Sequence, residues 1–347
     1  MTNWITHLNL VNEESAISVV TRNTVESAKM LGFQELNHTR YANLDNNPKR
    51  RKNILEALLL PVQPGDLVVI QIPLWPQLNF QAEFIAQLKT ITNVKIVALV
   101  HDIPTWMFGN AEENYDIEND FWFQQLRQFD VLLMANDKAI AKLKEFDVNV
   151  PMISMKIWDY VYQGPIIQKK FTKKLYYVSG REINSINYTS STPLHIYDKN
   201  VSKSVIENPS VIWKGFVPSD EIIANIDGGF GVVMSENFDE RTSMNFTYYN
   251  QFNNPTKLSF YIAAGLPVIV ESKSAHAKLI QDRGIGLVVD NLNDIDAVLA
   301  KIDADKYASM LTALQPWQKN VSEGFFIQRA LVAALRYINL GFDDVLS

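Results

Sequence analysis

Two spacings of apolar residues take turns along this chain, and each predicts a different kind of element. Residues 4–10 alternate as a first strand, the polar stretch 12–15 leads into a helical repeat over 16–31, and Gly32 stops it. Pro64, Gly65 and Asp66 make a turn before 67–72, a continuous run, apolar but for Gln71, of the kind buried on both faces of a parallel sheet. A helix over 80–88 precedes a second such run at 94–100. The two runs end alike in polar or proline residues, Gln71-Ile72-Pro73-Leu74-Trp75-Pro76 and His101-Asp102-Ile103-Pro104. A strand at 131–135, a helix near 138–146 and a strand at 152–155 finish this half. From 163 to 174 the pattern weakens into a polar stretch with Gly164-Pro165 and four lysines, which reads as a link. Strands recur at 175–179, 194–197, 211–216, 230–234 and 287–290. Helices are predicted over 220–226, 274–282, 292–302 and 305–314, with a last amphipathic run at 325–338. Such alternation predicts α/β architecture with parallel sheets in two domains, 1–161 and 162–347. The final helix, about 323–341, is long enough to return to the first domain.

The stretch 253–270, NNPTKLSFYIAAGLPVIV, holds a helix, a forced break and a buried strand. Pro255 suits a first helical turn, where its missing N–H costs nothing. Residues 258–264 are apolar on most faces, so this helix should be buried. Gly265 supplies the left-handed residue that ends it, and Pro267 opens the β-branched strand Val268-Ile269-Val270. Lys257 then stands near the positive end of a helix dipole, where it gains little unless an anion lies beside it, and a nucleotide diphosphate is such an anion. Alternatively the ammonium snorkels to solvent or pairs with a carboxylate such as Glu271. Two α/β domains in series create a cleft at the carboxyl ends of their strands, where parallel sheets bind ligands. The residues ending strands therefore matter most: Ser15, Pro73, Trp75, His101 and Asp102 on one side, Gly180, Arg181, Phe216 and Lys257 on the other.

A chain of 347 residues suits two domains of common size. It has no cysteine, which removes disulfides, thiolate metal sites and thiol nucleophiles together and fits a reducing compartment. The formal charge of −6 argues against a general nucleic-acid surface. The one compact basic run, Pro48-Lys49-Arg50-Arg51-Lys52, reads as the exposed first turn of a helix, or else as a dock for an acidic surface. No segment is apolar enough for a membrane span and no signal peptide is visible, so a cytoplasmic protein is expected. Neither G-x-G-x-x-G nor a P-loop occurs, which weighs against hydride transfer and P-loop phosphoryl transfer. Asp303-Ala304-Asp305 has a metal-binding spacing but lies between two helices and reads as a cap. Gly228-Gly229-Phe230-Gly231 either approaches a phosphate or makes a tight turn with close backbone packing. His101 or Asp102 is placed to act as a general base; the alternative is a strand cap followed by a turn. Trp75, Trp106 and Phe108 either stack on sugar faces or anchor loops. The polar and aromatic segment 236–254 reads as a mobile flap or as an insertion used in assembly.

These blocks, with Asn23-Thr24-Val25, Leu31-Gly32-Phe33 and Trp158-Asp159, resemble a family over nearly the whole chain. The chain is similar to the cytoplasmic nucleotide-sugar glycosyltransferases of GT-B fold that extend glycans on bacterial serine-rich repeat adhesins. Its most specific block is Lys257-Leu258 with Ala263-Ala264-Gly265-Leu266-Pro267-Val268-Ile269-Val270. The resemblance implies two Rossmann-like domains. The second would bind a UDP-sugar (UDP-glucose or UDP-GlcNAc) and the first a protein-linked GlcNAc, near Pro73, Trp75 and Trp106. It implies no metal or other cofactor and a homotetramer; from the residues themselves an inverting transfer is expected, with His101 or Asp102 as base. The family's lysine at position 257 and its neighbours, here Thr256, Leu258, Ser259 and Phe260 with Tyr249 ahead of them, contact the donor. An arginine of the family aligns by strict spacing with Asn184, while Arg181 stands three residues earlier, so both are candidate phosphate contacts. Phe216 and Val217 occupy the uridine loop where the family can have a tyrosine, and a hydroxyl residue is displaced to Ser15 or Ser18. These departures are compatible with a donor other than glucose, such as N-acetylglucosamine. A non-catalytic GT-B partner subunit and a UDP-sugar epimerase are the alternative readings.

Overall fold

The structure is a computed structural model and describes residues 1–9, 16–39, 46–74, 78–108, 120–240, 242 and 246–341. Ser15 and Trp75 lie outside the described residues. The chain divides into two compact units, Met1–Lys156 with Gly324–Ser347, and Ile157–Glu323.

The first unit contains β1 (Asn3–Asn9), α1 (Ala16–Lys29), β2 (Gln34–Thr39), α2 (Pro48–Leu59), β3 (Leu67–Ile72), α3 (Leu78–Leu88) and β4 (Lys95–Val100). It continues with α4 (Pro104–Phe108), α5 (Phe121–Leu126), β5 (Val131–Met134), α6 (Asp137–Glu145) and β6 (Met152–Ser154). Its sheet runs β2-β1-β3-β4-β5-β6, every neighbouring pair parallel. All six residues of β3 are buried, as a central parallel strand covered on both faces requires. The edge strand β2 escaped the hydrophobic pattern because its sequence, QELNHT, is largely polar. The basic run at 48–52 opens α2 as expected, but Arg51 is not on the exposed face. Its guanidinium is buried and grips Glu83 of α3 through both Nε (3.0 Å) and Nη2 (2.6 Å).

The second unit contains β7 (Lys170–Val178), β8 (Ile183–Ile186), β9 (Leu194–Tyr197), α7 (Lys203–Ile206), β10 (Val211–Trp213), α8 (Ser219–Asn225) and β11 (Gly228–Val233). Then come β12 (Phe238–Glu240), α9 (Phe246–Tyr249), α10 (Thr256–Ala263), β13 (Val268–Glu271), α11 (Ala277–Arg283) and β14 (Gly286–Val289). A 3-10 turn at Leu292–Asp294, α12 (Ile295–Ala300) and α13 (Ala304–Ser322) close it, and α14 (Phe325–Leu340) belongs to the first unit, packed on α1, β5 and β6. The main sheet, β10-β9-β7-β11-β13-β14, is again parallel throughout; β8 and β12 form a separate antiparallel pair.

Three boundaries differ from expectation for identifiable reasons. The division falls before Ile157 and not after residue 161 because the intervening residues are tied into the second unit. There Ser259 Oγ donates to the Trp158 carbonyl (2.6 Å), and the Tyr160 N–H donates to Val321 (3.1 Å). The expected link at 163–174 is partly strand, since β7 begins at Lys170. Gly228 and Gly229 make that possible: a Cβ at either would lie 1.8 Å from the Lys170 carbonyl oxygen or 2.4 Å from that of Lys174. Of the two readings of the glycine tract, tight backbone packing is the one observed. Finally, α13 runs through Pro316 to Ser322, because its last turns are held by partners that do not need the proline N–H: Gln318 Nε2 donates to the Ala263 carbonyl (3.1 Å) and Val321 is fully buried. Asp303 caps α13, accepting the Lys306 N–H (2.8 Å), as predicted.

Candidate functional site

In the second sheet the chain builds outward from β7 through β9 to β10, then crosses to β11 and builds the other way. The reversal point of such a sheet, at the carboxyl ends of its strands, is where ligands bind. Ser179 follows β7 there and Asp198 follows β9.

Helix α10 is carried to this point by its sequence. Six of its eight residues are buried, and Tyr261 at its centre occupies space that exists only because residue 231 is glycine; a Cβ there would sit 2.1 Å from the ring. The Tyr261 hydroxyl donates to the Tyr176 carbonyl (2.7 Å) and accepts the Val178 N–H (2.9 Å), pinning the helix across β7. The helix ends as expected. Gly265 has φ +72°, its N–H bonds the Ile262 carbonyl, and the Leu266 N–H bonds that of Tyr261. Pro255 is the residue before the first turn and not within it, and no side chain caps the N-terminus.

Lys257, in that first turn, neither snorkels away nor pairs with Glu271. Its Nζ donates to Glu240 Oε1 (3.1 Å) and lies 3.9 Å from the centre of the Tyr177 ring. Glu271 is occupied elsewhere, accepting the N–H groups of Ser235 and Glu236. Glu240 is almost completely buried and also accepts the hydroxyls of Tyr177 (2.6 Å) and Ser179 (2.6 Å). Its second oxygen takes Arg181 Nη1 (3.3 Å), and the Arg181 guanidinium lies 5.1 Å from the Phe246 ring centre. Burial disfavours the Glu240 carboxylate. The Lys257 charge, the two hydroxyls and Arg181 outweigh that and hold its pKa down at about 2. Burial lowers the Lys257 pKa, with the charge of Glu240 opposing. Burial and the charge of Glu240 raise the carboxyl of Asp198. The result is two cations sharing one buried, ionised carboxylate, with Asp198 close by, and a helix N-terminus at a sheet reversal point, an arrangement able to receive a polyanion.

Of the other predicted donor residues, Arg181 joins this cluster and Asn184 does not: it is exposed on β8. Phe216 and Val217 follow β10, with Phe216 exposed and Lys199 Nζ 4.2 Å from its ring centre. Thr256 is half-buried in the first turn of α10. Leu258, Ser259, Phe260 and Tyr249 have buried side chains, and Ser259 is engaged with Trp158, so only backbone groups of these residues could meet a ligand without rearrangement. The segment 236–254 is anchored rather than flap-like where it carries β12. Phe238 stacks on Tyr177 with centroids 3.6 Å apart, and Asn237 bonds the Asn187 carbonyl. Glu240, Tyr177, Ser179 and Asp198 are absent from the sequence-derived set. The one available signal for Glu240 was that a buried lysine needs a carboxylate, and Glu240 was one of several on offer.

In the first unit His101 follows β4 and is buried. Gln71 gives its amide N–H to the Thr6 carbonyl (2.6 Å), which turns its oxygen to His101, so His101 Nε2 carries the hydrogen of their 2.8 Å bond. Burial lowers the imidazole pKa to about 3. Burial disfavours the protonated ring, which weighs against His101, of the two expected candidates, as the base at neutral pH. Asp102 beside it is half-buried. Trp106 is also corrected. It is a core side chain, its ring 6.5 Å from that of Phe146, and offers no face for a sugar. Pro73 is buried, while Phe108 is half-exposed. Among the described residues no group of three or more His, Cys, Asp or Glu side chains is placed to hold a metal ion, and no helix is long and apolar enough to cross a membrane.

Residues 2–157 match the family described as glucosyltransferase 3-like, N-terminal domain, and residues 175–334 match its C-terminal domain. The chain belongs to the glucosyltransferase 3-like family. This glucosyltransferase 3-like chain is 28% identical over 335 residues to Glucosyltransferase 3 of Streptococcus gordonii, covering 95% of the chain and 97% of that protein. Among solved structures it is similar to a sucrose-phosphate synthase from Thermosynechococcus elongatus (TM-score 0.62, 11% identity, 99% and 100% of the two chains). It is also similar to an α-glucosyltransferase solved in complex with UDP (TM-score 0.51, 11% identity, 97% and 100%). The fold is GT-B and the protein is a glycosyltransferase.

Proposed function

We propose that the second unit binds a UDP-sugar with its diphosphate against Lys257, Arg181 and the N-terminus of α10. In this reading a hexose, glucose or N-acetylglucosamine, passes to a protein-linked GlcNAc of a serine-rich repeat adhesin with inversion. The reading includes a cytoplasmic homotetramer that needs no metal. The observation that carries it is the pair Lys257 and Arg181 on one carboxylate at the reversal point of the sheet. Two fixed cations neutralise a leaving diphosphate as a metal does elsewhere. Uridine would lie toward Phe216 and Val217, held by stacking and backbone contacts. The UDP complex of the similar α-glucosyltransferase and the naming of the Streptococcus gordonii relative support the donor class.

For the acceptor we propose the first unit, at the carboxyl ends of β3 and β4, with Asp102 in place of His101 as base. The lowered basicity of His101 supports that choice. The test is transfer from UDP-glucose and UDP-GlcNAc to a GlcNAc-bearing serine-rich peptide, with EDTA and with magnesium. Equal rates in both media with one donor preferred are expected. Dependence on magnesium, or hydrolysis without transfer, would reject the reading.

A further inference from the structure

A site for a diphosphate has an obvious oddity here, a buried and ionised carboxylate at its centre. Removing a carboxylate from water is costly, and Glu240 would repel the proposed ligand unless it served the cations. Its surroundings show how it does. The carboxylate has four donors, two hydroxyls and two cations, and each oxygen takes a different cation: Lys257 on Oε1 and Arg181 on Oε2. It is also fixed through its own strand. Phe238, two residues earlier on β12, covers one face of Tyr177 with the planes only 4° apart, which leaves the other face to Lys257.

Lys257 and Arg181 are like charges gathered at one point, and each makes the other harder to keep protonated. The charged or titratable groups facing Lys257 are Tyr177 and Arg181 from β7 and the residues after it, Asp198 after β9, and Glu240 on β12. Of these Glu240 alone is in contact with the ammonium as an anion.

We propose that Glu240 is a positioning residue for donor binding: it stays in place when a nucleoside diphosphate arrives, holds the two cations side by side and keeps Lys257 protonated, leaving further N–H donors of Lys257 for the diphosphate. This rests on the donor-site reading above. It makes the carboxylate part of the binding apparatus rather than a competitor that the ligand displaces.

The experiment is calorimetric titration with UDP from pH 6 to pH 10, with thermal unfolding of each variant measured alongside. The nucleotide's own ionisation is common to every protein and cancels in the comparison. In Glu240→Gln the alkaline loss of UDP binding should begin about one pH unit lower than in the wild type, with affinity down roughly tenfold at pH 9. Glu240→Asp, which keeps the charge one methylene farther back, should fall between the two. It serves alone if Glu240→Gln does not fold. In a Lys257→Arg background Glu240→Gln should not move the alkaline limit, because a guanidinium keeps its proton throughout this range. An unchanged alkaline limit in the folded position-240 variants, or tighter UDP binding in them, would overturn the proposal. A wild type that does not bind UDP, or that binds it equally after Lys257→Ala, overturns the donor-site reading instead.

Discussion

Replacing Lys257 by alanine tests the proposed site most directly. One unit charge acting on another at about 4 Å through an effective dielectric of about 20 contributes about 4 kcal/mol. The Lys257 side chain is 26% exposed, so solvent screens part of that, and we expect about 2 kcal/mol of lost transition-state stabilisation. That corresponds to roughly a thirtyfold fall in kcat, read from UDP release with the preferred donor. The loss has a second part. With the ammonium gone, Glu240 keeps its charge through Arg181, 3.3 Å away, and repels the diphosphate that Lys257 would have attracted. Lys257→Ala should therefore weaken UDP binding more than Lys257→Ala combined with Glu240→Gln does, a non-additivity expected of groups in contact. Near-normal turnover in a folded Lys257→Ala protein, or strict additivity in the cycle, would refute the reasoning.

Arg181→Lys should weaken UDP binding about tenfold by calorimetry, because an ammonium cannot reproduce a guanidinium lying against both a carboxylate and a ring, whereas Asn184→Ala should change it less than about threefold. The folded pKa of His101 lies far below its unfolded value, so the unfolded chain takes up the proton first. Stability should fall as pH drops from about 6.5 toward 3, and His101→Gln should flatten that part of the acid unfolding curve. Activity should show no inflection that His101→Gln removes near neutrality. Glu240 acts in the same direction at lower pH: its contribution is complete above pH 4.5 and is lost as pH falls toward 2, so Glu240→Gln should unfold less steeply in that window. Gly231→Ala should destabilise by about 1–3 kcal/mol, measured by denaturant unfolding, since the new methyl meets the ring of Tyr261.

Much of the fold could be read from the chain because its central strands are buried on both faces. β3 and β4 carry nearly unbroken apolar runs, and their bounds differ from expectation by at most a residue. Residues whose structure depends on a distant partner were not legible. β8 and β12 are four- and three-residue strands that exist because they pair with each other across a long stretch of sequence. Glu240 rides on one of them, 61 residues from Ser179, and no local pattern marks it as the anion at the end of β7. Lys257 was legible because its oddity is local, a cation at the start of an apolar helix. Trp106 misled for the converse reason. An aromatic beside a proline reads the same whether its ring faces outward or packs on Phe146.

The chain enters the second unit once, after Lys156, and leaves it once, before Gly324, and it then returns as a helix, α14, laid on the first unit's α1 and β5. A ribosome making this protein therefore finishes the second unit while the sheet it made first still lacks its covering helix. The lobe begun earliest is the last to close, and an interruption of synthesis just after residue 323 would leave its flank on β5 and β6 bare.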